Sequence, residues 1–420
     1  MEVTFTTLGA LLGLALSIIL IIKKIQPAYS LIIGALIGGL IGSGNLVGTV
    51  DVMIVGAQGM MSSVLRILTS GILAGALIKT GAAEKIAEVI VNKLGEKRTI
   101  ASIAVATMVI CAVGVFIDIA VITVAPIALA IGNKVKYNKA SVLLAMIGGG
   151  KAGNIISPNP NTIAVSEGFK LDLTSLMTVN IVPAIGALIV TIVLATFLTK
   201  KTMKEEKNYN NKSVENKELP KIGAAISGPV AVILLLALRP LFNVVIDPLI
   251  ALPVGGFISA LACGRVKKFP EYMEFGLTKV IGVSVLLIGT GTIAGIIKAS
   301  ALQGDVVNLL EMMHLPSFVL APIAGIVMGA ATASTTAGST IASQTFSSVL
   351  LKEGVPALFA GAMVHTGATV LDSLPHGSFF HATGGSVELN IKERMKLIPF
   401  EAIIGLTSTT LSIVWYLIFR

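Results

Sequence analysis

The chain has 420 residues, 54% hydrophobic and 13% charged, with a mean hydropathy of +0.91. Soluble domains carry about a quarter charged residues, so this composition excludes a water-soluble enzyme or binding module and leaves a polytopic membrane protein. The net charge of +9 does not call for a nucleic-acid partner, because the lysines and arginines cluster in short loops between apolar spans, where they set orientation.

A bilayer crossing takes roughly 17–25 apolar residues. In the first half that rule gives crossings at about 4–22, 27–48, 58–80, a broken helix at 140–170, and 174–199. The first of these lacks a basic leader and a small-residue cleavage site, so it reads as a retained helix. Lys23 and Lys24 follow it, which puts the N-terminus outside. Residues 81–95 suit an amphipathic helix at the membrane interface, with Ile86, Val89, Ile90 and Leu94 apolar and charges opposite. Residues 99–133 are apolar but break at Gly114 to Asp118 and are basic at both ends, which predicts a hairpin that enters and leaves on the cytoplasmic side. Cys111 in this segment and Cys263 later have no Cys or His at metal spacing, so neither a disulfide framework nor a zinc site is indicated.

The stretch AMIGGGKAGNIISPNPNT at 145–162 carries four glycines, a lysine, three asparagines and two prolines inside apolar sequence. Such density deprives a helix of its hydrogen bonds, and in hydrocarbon the freed backbone survives only where it lines an enclosed cavity. A counterpart, AMVHTGATVLDSLPHGS at 362–378, matches at a constant offset of 217: Ala145 with Ala362, Met146 with Met363, Gly150 with Gly367, Pro158 with Pro375. SGILAGALIK at 70–79 echoes TGTIAGIIK at 290–298. Interrupted segments at corresponding places of two halves are the pattern of a secondary transporter with internal repeats.

Residues 200–221 hold seven lysines and four glutamates, and form the cytoplasmic linker between halves 1–199 and 222–420. The second half reads 222–240, 246–264, 274–297, an amphipathic stretch near 300–314, a hairpin at 316–350 broken at Thr332 to Thr340, a broken helix at 355–386, and 395–418. Glu311 and His314 before that hairpin, and Lys352 and Glu353 after it, suit the outer face. The predicted fold is therefore an all-α polytopic membrane protein of two inverted-topology repeats. Each has five crossings, one re-entrant hairpin and one broken helix, with both termini outside the cell membrane.

The runs VFIDIAVITVAPIALAIG, SPNPNT followed by SEGFKLDLTSLM, and LDSLPHGSFFHATGG followed by NIKERMKLIPF resemble the gluconate permease family of organic-acid transporters, within the ion-transporter superfamily. The resemblance implies import of small organic acids such as gluconate, 3-hydroxybutyrate or related hydroxy acids, usually driven by protons. It further implies a homodimer in the inner membrane, with a scaffold and an elevator-like transport domain. TASTTAGSTIA and LDSLPHGSFF depart from the gluconate branch and lie closer to the hydroxybutyrate branch.

An anionic substrate near the midplane needs donors, which broken helices and hairpin tips supply as helix N-termini and short polar side chains. Candidates are Lys151, Asn154, Ser157, Asn159, Asn161 and Thr162 in the first break; Thr335, Thr336, Gly338 and Ser339 in the second hairpin; and Ser373 and His376 in the second break. Capping of helix ends is the alternative role for the Ser, Thr and Asn residues. Lys151 either meets the substrate carboxylate or pairs with Asp118 or Asp372. Asp118, Asp372 and His365 are candidates for ion coupling. The coupling ion is H⁺ or, as the alternative, Na⁺ held by oxygens such as those of Asn159, Asn161 and Ser339. No other metal and no cofactor is expected. Arg66, inside the third span, falls nearer the scaffold and is left out. An anion channel is a rival reading, and a membrane enzyme is disfavoured because HExxH and paired Cys or His motifs are lacking.

Overall fold

Left-handed glycines and short polar caps set the helix boundaries along this apolar chain. The structure, a computed structural model, describes residues 5–95, 98–201, 218–242, 244–302, 304–305, 308, 312 and 316–419. Helix α1 spans Thr7–Ile22 under a Thr6 cap, and α2 (Pro27–Ser43) ends at Gly44, whose φ of 68° favours glycine. Asn45 caps α3 (Leu46–Gln58), and α4 is Met61–Lys79. Then come α5 (Ala82–Leu94), α6 (Thr99–Ala112), α7 (Ile117–Lys134), α8 (Lys139–Asn154), α9 (Pro160–Gly168), α10 (Leu173–Val179) and α11 (Ile181–Lys201). The second half runs α12 (Ile222–Phe242), α13 (Pro248–Ala262), α14 (Phe269–Lys298), α15 (Leu320–Thr332), α16 (Thr335–Lys352), α17 (Ala357–Ala368), α18 (Ser378–Ser386), α19 (Ile391–Met395) and α20 (Ile398–Phe419).

The order of hairpin, broken helix and closing helix recurs. Helices α6–α7, α8–α9 and α10–α11 are answered by α15–α16, α17–α18 and α19–α20. The two copies also pack alike, hairpin arm on broken helix, through backbones that only glycine lets approach. A Cβ on Gly149 of α8 would sit 2.1 Å from the Ala104 carbonyl oxygen of α6, and one on Gly325 of α15 2.3 Å from that of Val364 in α17. Small residues at such crossings are the usual device where lipid offers no hydrophobic drive.

Among the described residues, five helices are long and apolar enough to cross a membrane: Met61–Lys79, Ile117–Lys134, Ile181–Thr199, Val266–Lys298 and Ile391–Phe419. Shorter apolar helices, among them α1, α2 and α13, accompany them. Several sequence expectations change in detail. The crossing placed at 27–48 ends at Ser43, and a separate helix α3 follows, because Gly44 turns the chain and Asn45 restarts it. The second hairpin break is not Thr332 to Thr340 but only Ala333 and Ser334: Ala333 takes φ 46° and the Ser334 hydroxyl accepts from the Ala337 amide, so 335–340 is helical. Likewise Asp118 sits in the first turn of α7, not in the tip. Amphipathic α5 turns Ala82, Ala83, Ile86, Ala87 and Val91 into the protein core. Most of the linker at 200–221 and of the stretch at 300–314, with Glu311 and His314, lies outside the described residues.

Candidate functional site

Both hairpin tips and both helix breaks meet at one cavity of about 610 Å³. The first tip brings Phe116, with Ile117 and Asp118 of the first turn of α7, and the second brings Ala333 and Ser334 with the flanking residues Thr332 and Thr335 to Ala337. The breaks contribute Asn154 and Asn161 from the first half, and Asp372 with His376 to Phe379 from the second. A further wall is Lys279, Gly282, Val283 and Leu286 of α14, and the lining continues to Lys24 and Gln26 in the α1–α2 loop and Pro27 at the start of α2.

Each polar side chain is positioned by its helix end. Pro160 at the first position of α9 forces the helix to start there, and Asn159 caps it, its Oδ1 accepting from the amides of Asn161 (3.0 Å) and Thr162 (3.2 Å). The Asn159 amide donates to Asn154 Oδ1 at 2.6 Å and to the Asn154 carbonyl at 3.0 Å. Asn154 Nδ2 is left without a partner although the residue is 1% exposed and lines the cavity. A buried donor in that state is an open position for a ligand acceptor. At the other break, Gly377 begins α18 without any side-chain cap, so the amides of its first turn are free beside the cavity.

The second tip is stitched to both breaks. Thr336 donates to Asn161 Oδ1, and Thr335 donates to Asp372 Oδ2 at 2.5 Å. Behind them lies a buried ion pair. Lys151 Nζ stands 2.6 Å from Asp372 Oδ1 and donates to the Thr369 carbonyl at 2.6 Å, and Ser373 donates to Asp372 Oδ1 at 2.9 Å. Asp372 is thus saturated by Lys151, Thr335 and Ser373, and links the two halves across the break.

The structure therefore brings Asn154, Asn161, Thr335, Thr336, Asp118, Asp372 and His376 to the cavity, and places the remaining candidates behind it. Lys151 joins Asp372, not Asp118, and does not line the cavity. Ser157 and Thr162 are fully buried, and Ser373 is buried against Asp372. Gly338 packs on α15, where a Cβ would meet Gly329 at 2.5 Å. His365 is fully buried in α17, with neither ring nitrogen hydrogen-bonded. Of the three residues considered for sodium, Asn159 spends its oxygen on the α9 amides and Ser339 donates to the Thr336 carbonyl, which leaves Asn161 on the cavity. Among the described residues no group of three His, Cys, Asp or Glu is placed to hold a metal.

Sequence reasoning missed two features. Lys279 lies in the apolar span of α14 and was readable as an intramembrane charge. Arg66, set aside, binds Asp247 through Nε at 2.9 Å and a terminal nitrogen at 2.6 Å, and Glu167 at 2.5 Å. It ties α4 to the end of α9 and to the loop before α13, around a smaller cavity of about 90 Å³. The Arg66 hydrogen bonds hold the Asp247 carboxyl below its ordinary range.

Known proteins place this architecture. The chain matches a 52% identical uncharacterized transporter of Haemophilus influenzae, over 99% of both chains. At 26% identity it matches the inner membrane permease YgbN of Escherichia coli, over 78% of this chain and 80% of the relative. The E. coli D-serine transporter DsdX is 21% identical over 78% of this chain and 79% of its own. The fold matches that of the YdaH transporter of Alcanivorax borkumensis with a TM-score of 0.69 at 14% identity, covering 97% of this chain and 98% of the other. The GntP family permease model matches residues 5–418, and the chain accordingly belongs to the GntP family, as a multi-pass membrane permease.

Proposed function

We propose that the protein is an ion-coupled symporter, driven by protons, that imports small organic acids bearing hydroxyl groups by elevator-type alternating access. The observation that carries this reading is the convergence of two tips and two breaks, one of each from either half, on a single cavity. Two re-entrant arms that meet at one site from opposite repeats are the parts alternating access needs. The free Asn154 amide and the uncapped α18 N-terminus supply donors for a carboxylate, and Thr335, Thr336 and Ser378 are short hydroxyls suited to a substrate hydroxyl. D-serine, the solute in the name of one relative, likewise joins a carboxylate to a hydroxyl.

The cavity extends to Lys24, on the loop that the basic residues assign to the cytoplasm, so the conformation reads as inward-open. Asp118 lines the cavity outside any ion pair among the described residues and is the proton carrier in this scheme. Sodium coupling has one specific support: the oxygens of Asn161, Thr335, Thr336 and Asp372 lie together at the second tip. A channel is disfavoured because the Lys151–Asp372 pair and the stitched tip stand across the breaks. The test is uptake into proteoliposomes of radiolabelled gluconate, 3-hydroxybutyrate, glycerate and D-serine under a proton or a sodium gradient. Accumulation of an acid under the proton gradient alone supports the proposal. Accumulation under sodium alone replaces the ion, and downhill flux without accumulation overturns symport.

A further inference from the structure

Gly282 of α14 is a glycine without a packing reason. A Cβ there would meet no atom within 4 Å, whereas one on Gly276 or Gly291 of the same helix would collide with a carbonyl oxygen. Glycine inside a helix is less stable than alanine, so its presence at an unencumbered position points to space kept for something else. Gly282 lines the cavity, and three residues earlier on the same face is Lys279. Lys279 forms no ion pair among the described residues, and its ammonium leans over the Phe275 ring at 4.9 Å to the centroid. The ionisable side chains on the cavity are Lys24, Asp118, Lys279, Asp372, His376 and His381. Asp372 is neutralised by Lys151, so among the remaining lysine and carboxylate groups Lys24 and Lys279 outweigh Asp118. A cation within a span, beside a cavity with surplus positive charge, suits an anionic ligand.

We infer that the Lys279–Gly282 face of α14 is the wall that selects the substrate, with Lys279 receiving a carboxylate and Gly282 leaving room for the carbon chain beside it. This rests on the cavity being the substrate site. It transfers to Lys279 the role the sequence offered to Lys151, whose charge is spent on Asp372. A lysine that merely snorkels along Phe275 toward the interface would hold no anion.

The first test needs no known substrate. In full-length protein carrying Cys263→Ala, Cys111 being buried, Gly282→Cys is labelled with an anionic and a cationic methanethiosulfonate, with and without Lys279→Gln. Removing one charge about 6 Å away across water slows the anionic reagent about three-fold and speeds the cationic one about three-fold. Lys279→Arg leaves the ratio as it is with lysine. An unchanged ratio in Lys279→Gln overturns the inference. In proteoliposomes, Lys279→Gln raises the KM of a transported acid ten-fold or more with little change in maximal rate, and Lys279→Arg restores it. Gly282→Leu reduces uptake of six-carbon gluconate more than that of four-carbon 3-hydroxybutyrate. A KM within two-fold of wild type in Lys279→Gln also overturns the inference. If the labelling ratio shifts but the wild type moves no acid, the anion wall stands and the acid-symporter reading falls.

Discussion

Lys151 and Asp372 are each no more than 2% exposed and 2.6 Å apart, so neither charge has water to fall back on. Removing one partner leaves the other buried and uncompensated, which costs about 3–5 kcal/mol, whereas replacing both with apolar residues is often neutral. Lys151→Met and Asp372→Leu are each expected to lower thermal stability in detergent by that order, and the double variant to recover most of it. Equal loss in the double and the sum of the singles would show that the charges do not act on each other. Uptake is expected to fail in all three, since Asp372 also holds Thr335 at the second tip. Arg394 and Glu401 form a second buried pair, with the guanidinium 4.8 Å over the Phe380 ring, and the same cycle applies to them. The cost of buried charge made Lys151 and Asp372 legible in the sequence. Their partnership was open there, because Asp118 and Asp372 are both carboxylates at interruptions and only the packing of α8 against the second break decides between them.

At the scale of elements, glycines separate packing from function. Gly149→Val forces a side chain into the Ala104 backbone of α6 and is expected to abolish folded expression. Gly282→Val on α14 meets open space and is expected to keep the melting temperature while changing transport. Fluorescence-detected size exclusion and thermal melts of the two variants check the contrast. The Arg66 tie between α4, α9 and the loop before α13 has a pH signature. Asp247 has its carboxyl group depressed in the folded protein by Arg66, so its contribution is present above the ordinary carboxylate pKa near 3.9 and is lost as pH falls through the lower folded value. The melting-temperature gap between wild type and Asp247→Asn is expected to stay constant from pH 8 to 5 and to shrink below about 4. A gap that widens with acid would contradict the tie. The breaks and hairpins were legible because glycine, proline and asparagine interrupt apolar runs. Helix α3 was not, since LVGTVDVMIVGAQ is short, carries Asp51 and depends on Gly44 and Asn45 for its start. Nor was the helicity of TTAGST at 335–340, whose weak formers are held by the Ser334 cap.

For the molecule as a whole, the proposed alternating access requires α14 and the broken helices to change their separation around the cavity. Bridging Gly282→Cys on α14 to Ser378→Cys at the start of α18 with a reducible bis-methanethiosulfonate is therefore expected to stop uptake, and reduction to restore it. Undiminished uptake in the bridged protein would mean that the two walls do not part. The repeat was readable from the offset of 217 residues, but the inequality of the halves was not. The first half breaks at Gly59 and Met60 between α3 and α4, where the second runs as one helix, α14, from Phe269 to Lys298.

That unbroken helix has a consequence for how the protein can change its diet. In the proposed scheme the proton carrier Asp118 sits at the start of α7, and the oxygens of the sodium alternative on the breaks and the second tip, while Lys279 and Gly282 sit on α14, one helical turn apart. On that scheme the coupling ion and the wall that selects the substrate are handled on different parts of the chain. Drift or design confined to a few codons of α14 re-addresses the carrier to a longer, shorter or uncharged solute without retuning the machinery that powers it.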